Sequence, residues 1–161
     1  MTTTNSSDAA SRQGFTVDYD DSRFPLVLIR AHGAATDAEF VDYLGVMERP
    51  LLRRERFVEI FDATYTAPSP AVQRRQVAEW IRERAGLLKT YQIGVAFVIP
   101  SALVRGALTA ILWIQPHPSP HTVVATLAEA ERWAIERARA EGLHVPPAPG
   151  KVAGKESAWT T

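Results

Sequence analysis

The sequence predicts an α/β fold: a four- to five-stranded, mostly parallel or mixed sheet with an N-terminal hairpin and about four helices. Three observations predict it. Two capping boxes, Thr36 with Glu39 and Thr126 with Glu129, mark helix starts. The run QIGVAFVI at 92–99 is apolar throughout, as in a strand covered on both faces. After the hairpin, β-branched or aromatic runs alternate with helical patterns, which favours parallel strands joined by right-handed crossovers.

The first part of the chain predicts two strands and a helix. FTVDY and PLVLIRA flank the Asp/Ser-rich corner DDSRF, which is typical of a hairpin. The helix that starts at Thr36 is expected to kink or break at Pro50, because proline removes an amide donor. Its predicted inward face consists of Phe40, Leu44, Met47 and Leu51.

Three further strand–helix units follow. RFVEIFDA predicts a strand ending near Asp62, and Ser69 followed by Pro70 predicts an N-cap with proline at the first helical position. Ser101 is expected to cap the next helix, and HTVVAT to form a short last strand. Gly142 is expected to end the last helix. The predicted inward faces of these helices are Val77, Trp80, Ile81, Ala85 and Leu88; Leu103, Ala107, Ala110, Ile111 and Ile114; and Leu127, Ala130, Trp133, Ala134 and Ala138.

Composition indicates one globular domain. The chain has 161 residues, 46% of them hydrophobic and 22% charged, and we expect a single domain at 14–145 between disordered tails at 1–13 and 146–161. The absence of cysteine excludes disulfides, thiolate zinc sites and cysteine nucleophiles. A formal net charge of zero gives no overall attraction to nucleic acid or to an anionic membrane.

Two segments of the sequence are examined for secretion and for membrane insertion. The first 13 residues have neither a basic segment nor an apolar segment, so no secretory signal is predicted and cytoplasmic residence is expected. The stretch at 93–114 is long and apolar, but Arg105 in its middle and Pro100 followed by Ser101 indicate a strand and a helix. No membrane span is therefore predicted.

Motifs for the common α/β chemistries are absent from the sequence. It contains no G-x-G-x-x-G, G-x-x-x-x-G-K-[ST], G-x-S-x-G or H-E-x-x-H, so neither catalysis nor a cofactor is predicted. His117 and His121 are interpreted as surface-loop residues rather than metal ligands, and His32 as a partly buried, hydrogen-bonded residue. Three aspartates, Asp18, Asp20 and Asp21, are interpreted as turn residues of the hairpin corner rather than a cation site.

Arg105 leaves two alternatives open. It lies early in an otherwise apolar helix, near the predicted carboxyl end of the strand at 92–99. A structural ion pair, for instance with Asp62, is the first interpretation. Binding of an anionic ligand or phosphate is the second, since ligands of open α/β sheets bind near the carboxyl ends of strands.

The order of elements, together with VIPSALVRGALTAILWIQP and VVATLAEAERWAIERA, resembles the SpoIIAA-like, or STAS-like, proteins of bacteria. The resemblance spans nearly all of 15–140. It implies a four- or five-stranded sheet with helices packed on it, no cofactor and a non-enzymatic role. Members related to anti-sigma-factor antagonists bind a protein partner, and in some of them phosphorylation of a Ser or Thr at the start of the second helix controls that binding.

The resemblance makes the segment DATYTAPSP a candidate for a phosphorylation switch. Asp62 matches the strand-terminal aspartate of the family motif by position, but Ala63 and Thr64 follow it where the antagonists have Ser-Ser-Gly. The candidate partner-binding or phospho-switch residues are Asp62, Thr64, Thr66, Ser69 and Arg74. A phosphate on a helix N-cap would face free amides. Ser69 acting only as a cap is the favoured alternative.

The sequence therefore predicts a non-catalytic protein-interaction module of bacterial regulation that acts through its second helix and the preceding loop. The alternative is a carrier of an anionic amphipathic ligand, with Arg105 at the head group and Leu, Ile and Trp side chains of the helices around the tail. An enzyme using His32 or the aspartates at 18–21 is a third hypothesis. A homodimer is a secondary prediction, since one of Trp80, Trp113 and Trp133 could extend the core into a contact patch.

Overall fold

The computed structural model describes residues 14–150, which form five strands and five helices. The strands are β1 (Thr16–Arg23), β2 (Leu26–Gly33), β3 (Phe57–Thr66), β4 (Gln92–Val98) and β5 (His121–Val124). The helices are α1 (Asp37–Leu52), α2 (Ala71–Glu83), α3 (Ala85–Tyr91), α4 (Ala102–Ile114) and α5 (Leu127–Ala140). The predicted α/β class and opening hairpin are confirmed, with one helix more than expected because the predicted second helix divides at Arg84.

The strands lie in one mixed sheet in the order β1-β2-β3-β4-β5. β1 pairs antiparallel with β2, and the three remaining pairings are parallel. Every parallel connection steps to the next strand in the same direction, so right-handed crossovers bring α1 to α4 onto one face. α5 follows the last strand and packs on the opposite face.

The α5 face is closely packed through small residues. Ala130, Ala134 and Ala138 are fully buried against β3 and β4. Gly94 of β4 lies directly beneath Trp133, and a Cβ placed there would come within 2.7 Å of the Trp133 ring. The alanine stripe and this glycine let the helix approach the sheet without space between them.

The opposite face is packed less closely. α1, α2 and α3 bury Leu51, Trp80, Ile81 and Leu88 against the sheet. α4 packs mainly against α2 and reaches the sheet through Val104 and Ile111. Space is therefore left between α4 and the strands beneath it.

Two sequence predictions about the first part of the chain are revised. The aspartates at 18–21 lie within β1, and the chain reverses at Phe24 and Pro25. Two of them still take part in the turn, since the Asp20 carboxylate accepts from the Ser22 amide at 2.8 Å and the Asp21 carbonyl accepts from the Phe24 amide at 2.9 Å. Of the kink or break expected at Pro50, the break is wrong, because α1 continues to Leu52. The turn follows instead at Arg54, which has a φ of 52°.

Four predictions about the second half are revised. β3 runs to Thr66 rather than ending near Asp62. The N-cap of α2 is Pro70, and no side chain caps this helix, so the predicted Ser69 cap is wrong. Leu103 and Ile114 of α4 point to solvent, whereas Val104 and Ile111 are the buried residues of that helix.

Other predicted features are confirmed. Thr36 and Thr126 form complete capping boxes, Ser101 accepts from the amide of Val104, and Gly142 follows α5 with a φ of 73°. The predicted tail at 1–13 and residues 151–161 of the predicted tail at 146–161 lie outside the described residues. Pro146, at the start of the predicted C-terminal tail, accepts a hydrogen bond from Arg23 through its carbonyl oxygen. Within residues 14–150, no helix has the length and apolarity needed to cross a bilayer.

Candidate functional site

A cavity of about 250 Å³ lies between the sheet and the helices α1, α2 and α4. Aromatic and aliphatic side chains form most of its wall, among them Phe40, Phe61, Phe97, Leu108 and Ile111. The segments at 33–35 and 66–70, which follow the carboxyl ends of β2 and β3, also line it. The cavity thus lies where ligands of open α/β sheets bind, near the carboxyl ends of parallel strands.

The helical period of α4 makes one side of this cavity. Val104, Leu108 and Ile111 follow each other at spacings of four and three, so they lie on one face of the helix and point toward the sheet. α4 packs mainly on α2, and these side chains join clusters that include strand residues. The packing of α4 against its neighbour therefore keeps the cavity open.

A buried carboxyl group lies in the cavity wall. Side chains alternate along β3, so Phe57, Glu59 and Phe61 all point toward the helices α1 to α4. This face of the strand therefore carries one carboxyl group between two aromatic rings. Glu59 is 3% exposed. Gln92, the first residue of β4, also lines the cavity and donates from Nε2 to Glu59 Oε2 at 3.0 Å.

Two polar atoms of the wall have no hydrogen-bond partner within the described part of the chain. They are the indole Nε1 of Trp80 and the side-chain Oε1 of Gln92. Both residues are buried. Buried polar atoms are nearly always paired, so an unpaired donor and an unpaired acceptor on two residues of this wall favour a further group there. Trp80 also lines a second pocket beside Gln76, whose Oε1 likewise has no partner among the described residues.

Burial changes the ionisation of three groups in the wall. It raises the pKa of Glu59 to about 7, and the hydrogen bond from Gln92 offsets part of that effect. It lowers the pKa of His117 to about 4, partly offset by the Ser119 backbone. The pKa of Tyr43 is raised by burial and by the nearby Glu59. Among the described residues that line the cavity, none is a lysine or an arginine.

The five residues of the predicted switch are not brought together. Asp62 lies on the α5 side of the sheet and forms an ion pair with Arg30, with 3.1 Å between Oδ2 and Nε. Thr64 donates to Asp62 Oδ1 from its backbone amide and from its hydroxyl. Asp62 and Thr64 therefore form hydrogen bonds with each other outside the cavity wall.

Of the other switch candidates, Arg74 does not line the cavity. Thr66 and Ser69 line it, and the Thr66 hydroxyl donates to the Ala63 carbonyl at 2.9 Å. Arg74 donates through its guanidinium group to the backbone carbonyl of Ser69. The Ser69 hydroxyl caps no amide of α2. Phosphorylation of these residues stays the alternative that the sequence favours less.

Arg105 lies outside the cavity wall. Its guanidinium group donates to the Ile99 carbonyl at 2.9 Å and thereby fixes the strand–helix joint. The expected ion pair with Asp62 is wrong, since Asp62 pairs with Arg30. Anion binding by Arg105 remains a prediction and would take place apart from the cavity.

The histidines form no metal site in the described region. His117 and His121 have ring centroids 5.9 Å apart, but no group of three potential metal ligands is found among residues 14–150. His117 is half-buried beside Phe97 in the loop between α4 and β5, and His121 is exposed at the start of β5. His32 stacks on Tyr65, with ring centroids 5.5 Å apart.

Sequence reasoning missed Glu59, Gln92 and Trp80 as site residues. One signal was present: Glu59 is the only charged residue within the strand run FVEIF. A charged residue between positions that must be buried is either an edge feature or a group kept for function. Pattern alone did not reveal that Gln92 and Trp80 face the same space.

Solved structures supply the fold comparison. A DUF3478-family protein from Shewanella loihica, described as having a SpoIIAA-like fold, superposes with a TM-score of 0.55 at 14% identity, over 75% of this chain and 94% of that one. The fold is SpoIIAA-like. An anti-sigma factor antagonist from Mycobacterium paratuberculosis superposes with a TM-score of 0.52, at the same identity and coverage.

The SpoIIAA-like fold confirms the resemblance drawn from the sequence at the level of architecture. No protein-family model and no curated protein matches the chain. At 14% identity the comparison establishes the shared architecture, while function must be argued from the site.

Proposed function

We propose that this protein binds a small, mostly apolar molecule with one polar end in the cavity beneath α4. The observation that carries the proposal is the pairing of an apolar wall with buried, unpartnered polar atoms of Trp80 and Gln92. Small-molecule sites typically combine such a wall with a few polar groups that fix orientation. The carrier hypothesis from the sequence is retained, with its ligand revised.

The size of the cavity limits the ligand. A volume of about 250 Å³ exceeds the roughly 150 Å³ of an engineered cavity that admits benzene. It falls just below the range of about 300 to 1,000 Å³ typical of pockets for drug-sized molecules. A single ring or a short alkyl chain therefore suits it better than a long acyl chain.

The predicted anionic head group is not retained for this cavity. Its wall contains the carboxyl of Glu59 and, among the described residues, no lysine or arginine. We further propose binding without turnover. The Thr66 hydroxyl is bonded to a backbone carbonyl, and the Nδ1 of His117 accepts from the Ser119 amide, so neither activates the other as in a nucleophile–base pair.

The proposal is tested by filling the cavity. Ala107 lies on α4 in the cavity wall, whereas Thr109 of the same helix is exposed. Hexan-1-ol should raise the Tm of the wild type in a saturable manner, because a ligand that binds only the folded state stabilises it. It should do the same for Thr109→Phe and should have no effect on Ala107→Phe.

Native mass spectrometry of freshly purified protein provides a second readout, since a co-purified small molecule would be lost from Ala107→Phe alone. Equal stabilisation of both variants by hexan-1-ol would place binding elsewhere. No saturable rise in the wild type with either hexan-1-ol or hexan-1-amine would reject the proposal.

A protein-interaction module is the second candidate, and the outer face of α4 favours it. Leu103, Trp113 and Ile114 are 76%, 85% and 57% exposed on this helix. Large exposed apolar residues grouped on one helix are typical of association surfaces. The loop at 67–70, assigned to partner binding from the sequence, lines the cavity mouth, so a ligand and a partner would meet neighbouring surfaces.

A further inference from the structure

We infer that the polar end of the ligand is a primary ammonium group, with Glu59 as its counterion and Gln92 as a second acceptor. This inference rests on the proposed function and specifies the class of ligand. The cavity would accordingly take a short alkyl or aryl amine.

The first step in the argument is the lack of a counterion. Glu59 forms no ion pair within residues 14–150, and its one hydrogen bond there comes from the Gln92 amide to Oε2. Its Oε1 is left free to accept. Charges buried in proteins are nearly always paired, and a ligand cation would supply the missing partner.

The second step concerns the orientation of Gln92. Because its Nε2 donates to Glu59, its Oε1 must point in another direction, and that oxygen has no partner in the described structure. Two acceptors, Glu59 Oε1 and Gln92 Oε1, thus belong to adjacent side chains in the wall. An ammonium group carries three donors and no acceptor, which matches this pair.

The third step concerns the surrounding titratable groups. Tyr19 of β1 and Tyr43 of α1 both experience the Glu59 charge. Tyrosine phenol groups are neutral near pH 7, and the pKa values of these two are raised further. His117, which also lines the cavity, is neutral there as well, because burial lowers its pKa. None of these groups compensates a carboxylate. A ligand carboxylate would be repelled by Glu59 once Glu59 ionises.

The unpartnered Nε1–H of Trp80 defines the competing outcome. An ammonium group cannot accept from this donor, whereas a hydroxyl could accept from it and donate to Gln92 Oε1. An alcohol that binds as tightly as the amine would therefore identify a neutral hydrogen-bonding ligand instead.

Because Glu59 ionises near neutral pH, the affinity for an amine should depend on pH. An ammonium needs the carboxylate form, which becomes the major form above about pH 7. Alkyl amines stay protonated well above that pH, as lysine does. The affinity for the amine should therefore rise several-fold, and at most about ten-fold, between pH 6 and pH 8. The affinity for an alcohol should not rise.

Isothermal titration calorimetry with hexan-1-amine, hexan-1-ol and hexanoate at pH 8 tests the inference. We expect the wild type to bind the amine at least ten-fold more tightly than the alcohol and to show no binding of hexanoate. Glu59→Gln should lose the preference for the amine and still bind the alcohol. Glu55→Gln, which changes an exposed carboxyl, should behave like the wild type.

The outcomes separate the two proposals. Binding of hexan-1-ol or hexanoate as tight as that of the amine would overturn the ammonium inference and leave the cavity as a binding site. An amine preference that survives in Glu59→Gln would also overturn it. Failure of all three compounds to bind the wild type would reject the cavity itself as the functional site.

Discussion

Glu59 and His117 give the cavity two ionisations that affect stability in opposite directions. The folded pKa of Glu59 is raised from 4.5 to about 7, so between these values the folded state holds more protons and stability falls as pH rises. The folded pKa of His117 is lowered from 6.5 to about 4, so in that window the unfolded state holds more protons and stability rises with pH. From about pH 4.5 to 6.5 the two effects largely cancel.

Single substitutions should separate these effects. Relative to the wild type, Glu59→Gln should gain stability as pH rises from 4.5 to 7, by up to about 3 kcal/mol, because it no longer loses a bound proton. His117→Asn should gain stability as pH falls from 6.5 to 4, by a similar amount. Urea unfolding between pH 4 and 8 measures both differences, and a difference that does not change with pH would show that the group is not buried in solution.

At the scale of elements, the chain supplies α1 and α5 with caps and leaves α2 without one. Thr36 and Glu39 exchange hydrogen bonds at 3.2 and 2.8 Å at the start of α1. Pro70 occupies the N-cap position of α2, where it offers no side-chain acceptor. The sequence predicts Ser69 as the N-cap of this helix, because serine followed by proline is a common helix start. The actual helix begins one residue later, and β3 continues to Thr66.

This difference predicts unequal costs for two similar substitutions. Thr36→Ala should lower the free energy of unfolding by about 1 kcal/mol, because it removes an N-cap. Ser69→Ala should change it by less than about 0.5 kcal/mol, as expected for a substitution that removes no cap or buried contact. Thermal or urea unfolding of both variants provides the comparison. A loss from Ser69→Ala as large as that from Thr36→Ala would show that Ser69 caps α2 in solution.

At the scale of the whole molecule, the two faces of the sheet are used differently. The α5 face is filled by Gly94 and three alanines, whereas the α1–α4 face contains the cavity and presents the outer side of α4 to solvent. Of the three tryptophans considered for association, Trp80 is buried and Trp133 packs between α5 and the sheet. Trp113 is the exposed one.

A contact between molecules should therefore involve Trp113. We predict that the wild type self-associates at micromolar concentration and that Trp113→Ser shifts it toward the monomer, because the substitution removes apolar area from the contact. Sedimentation velocity measures the effect, with Leu52→Ser as a control that removes an exposed apolar side chain from α1. A monomeric wild type would reject the homodimer and leave α4 as a surface for a different partner.

The sequence by itself determined the elements and their order. Capping boxes, the helical period and the apolar run at 92–99 depend on neighbours within a few residues, and these local signals predicted the α/β sheet and the opening hairpin. Only the tertiary structure decided the site. Glu59, Trp80 and Gln92 come from three elements, and they line one cavity because α4 packs against α2 instead of lying flat on the sheet. Such a gap depends on how side chains of distant segments fill space, which no local pattern in the chain encodes.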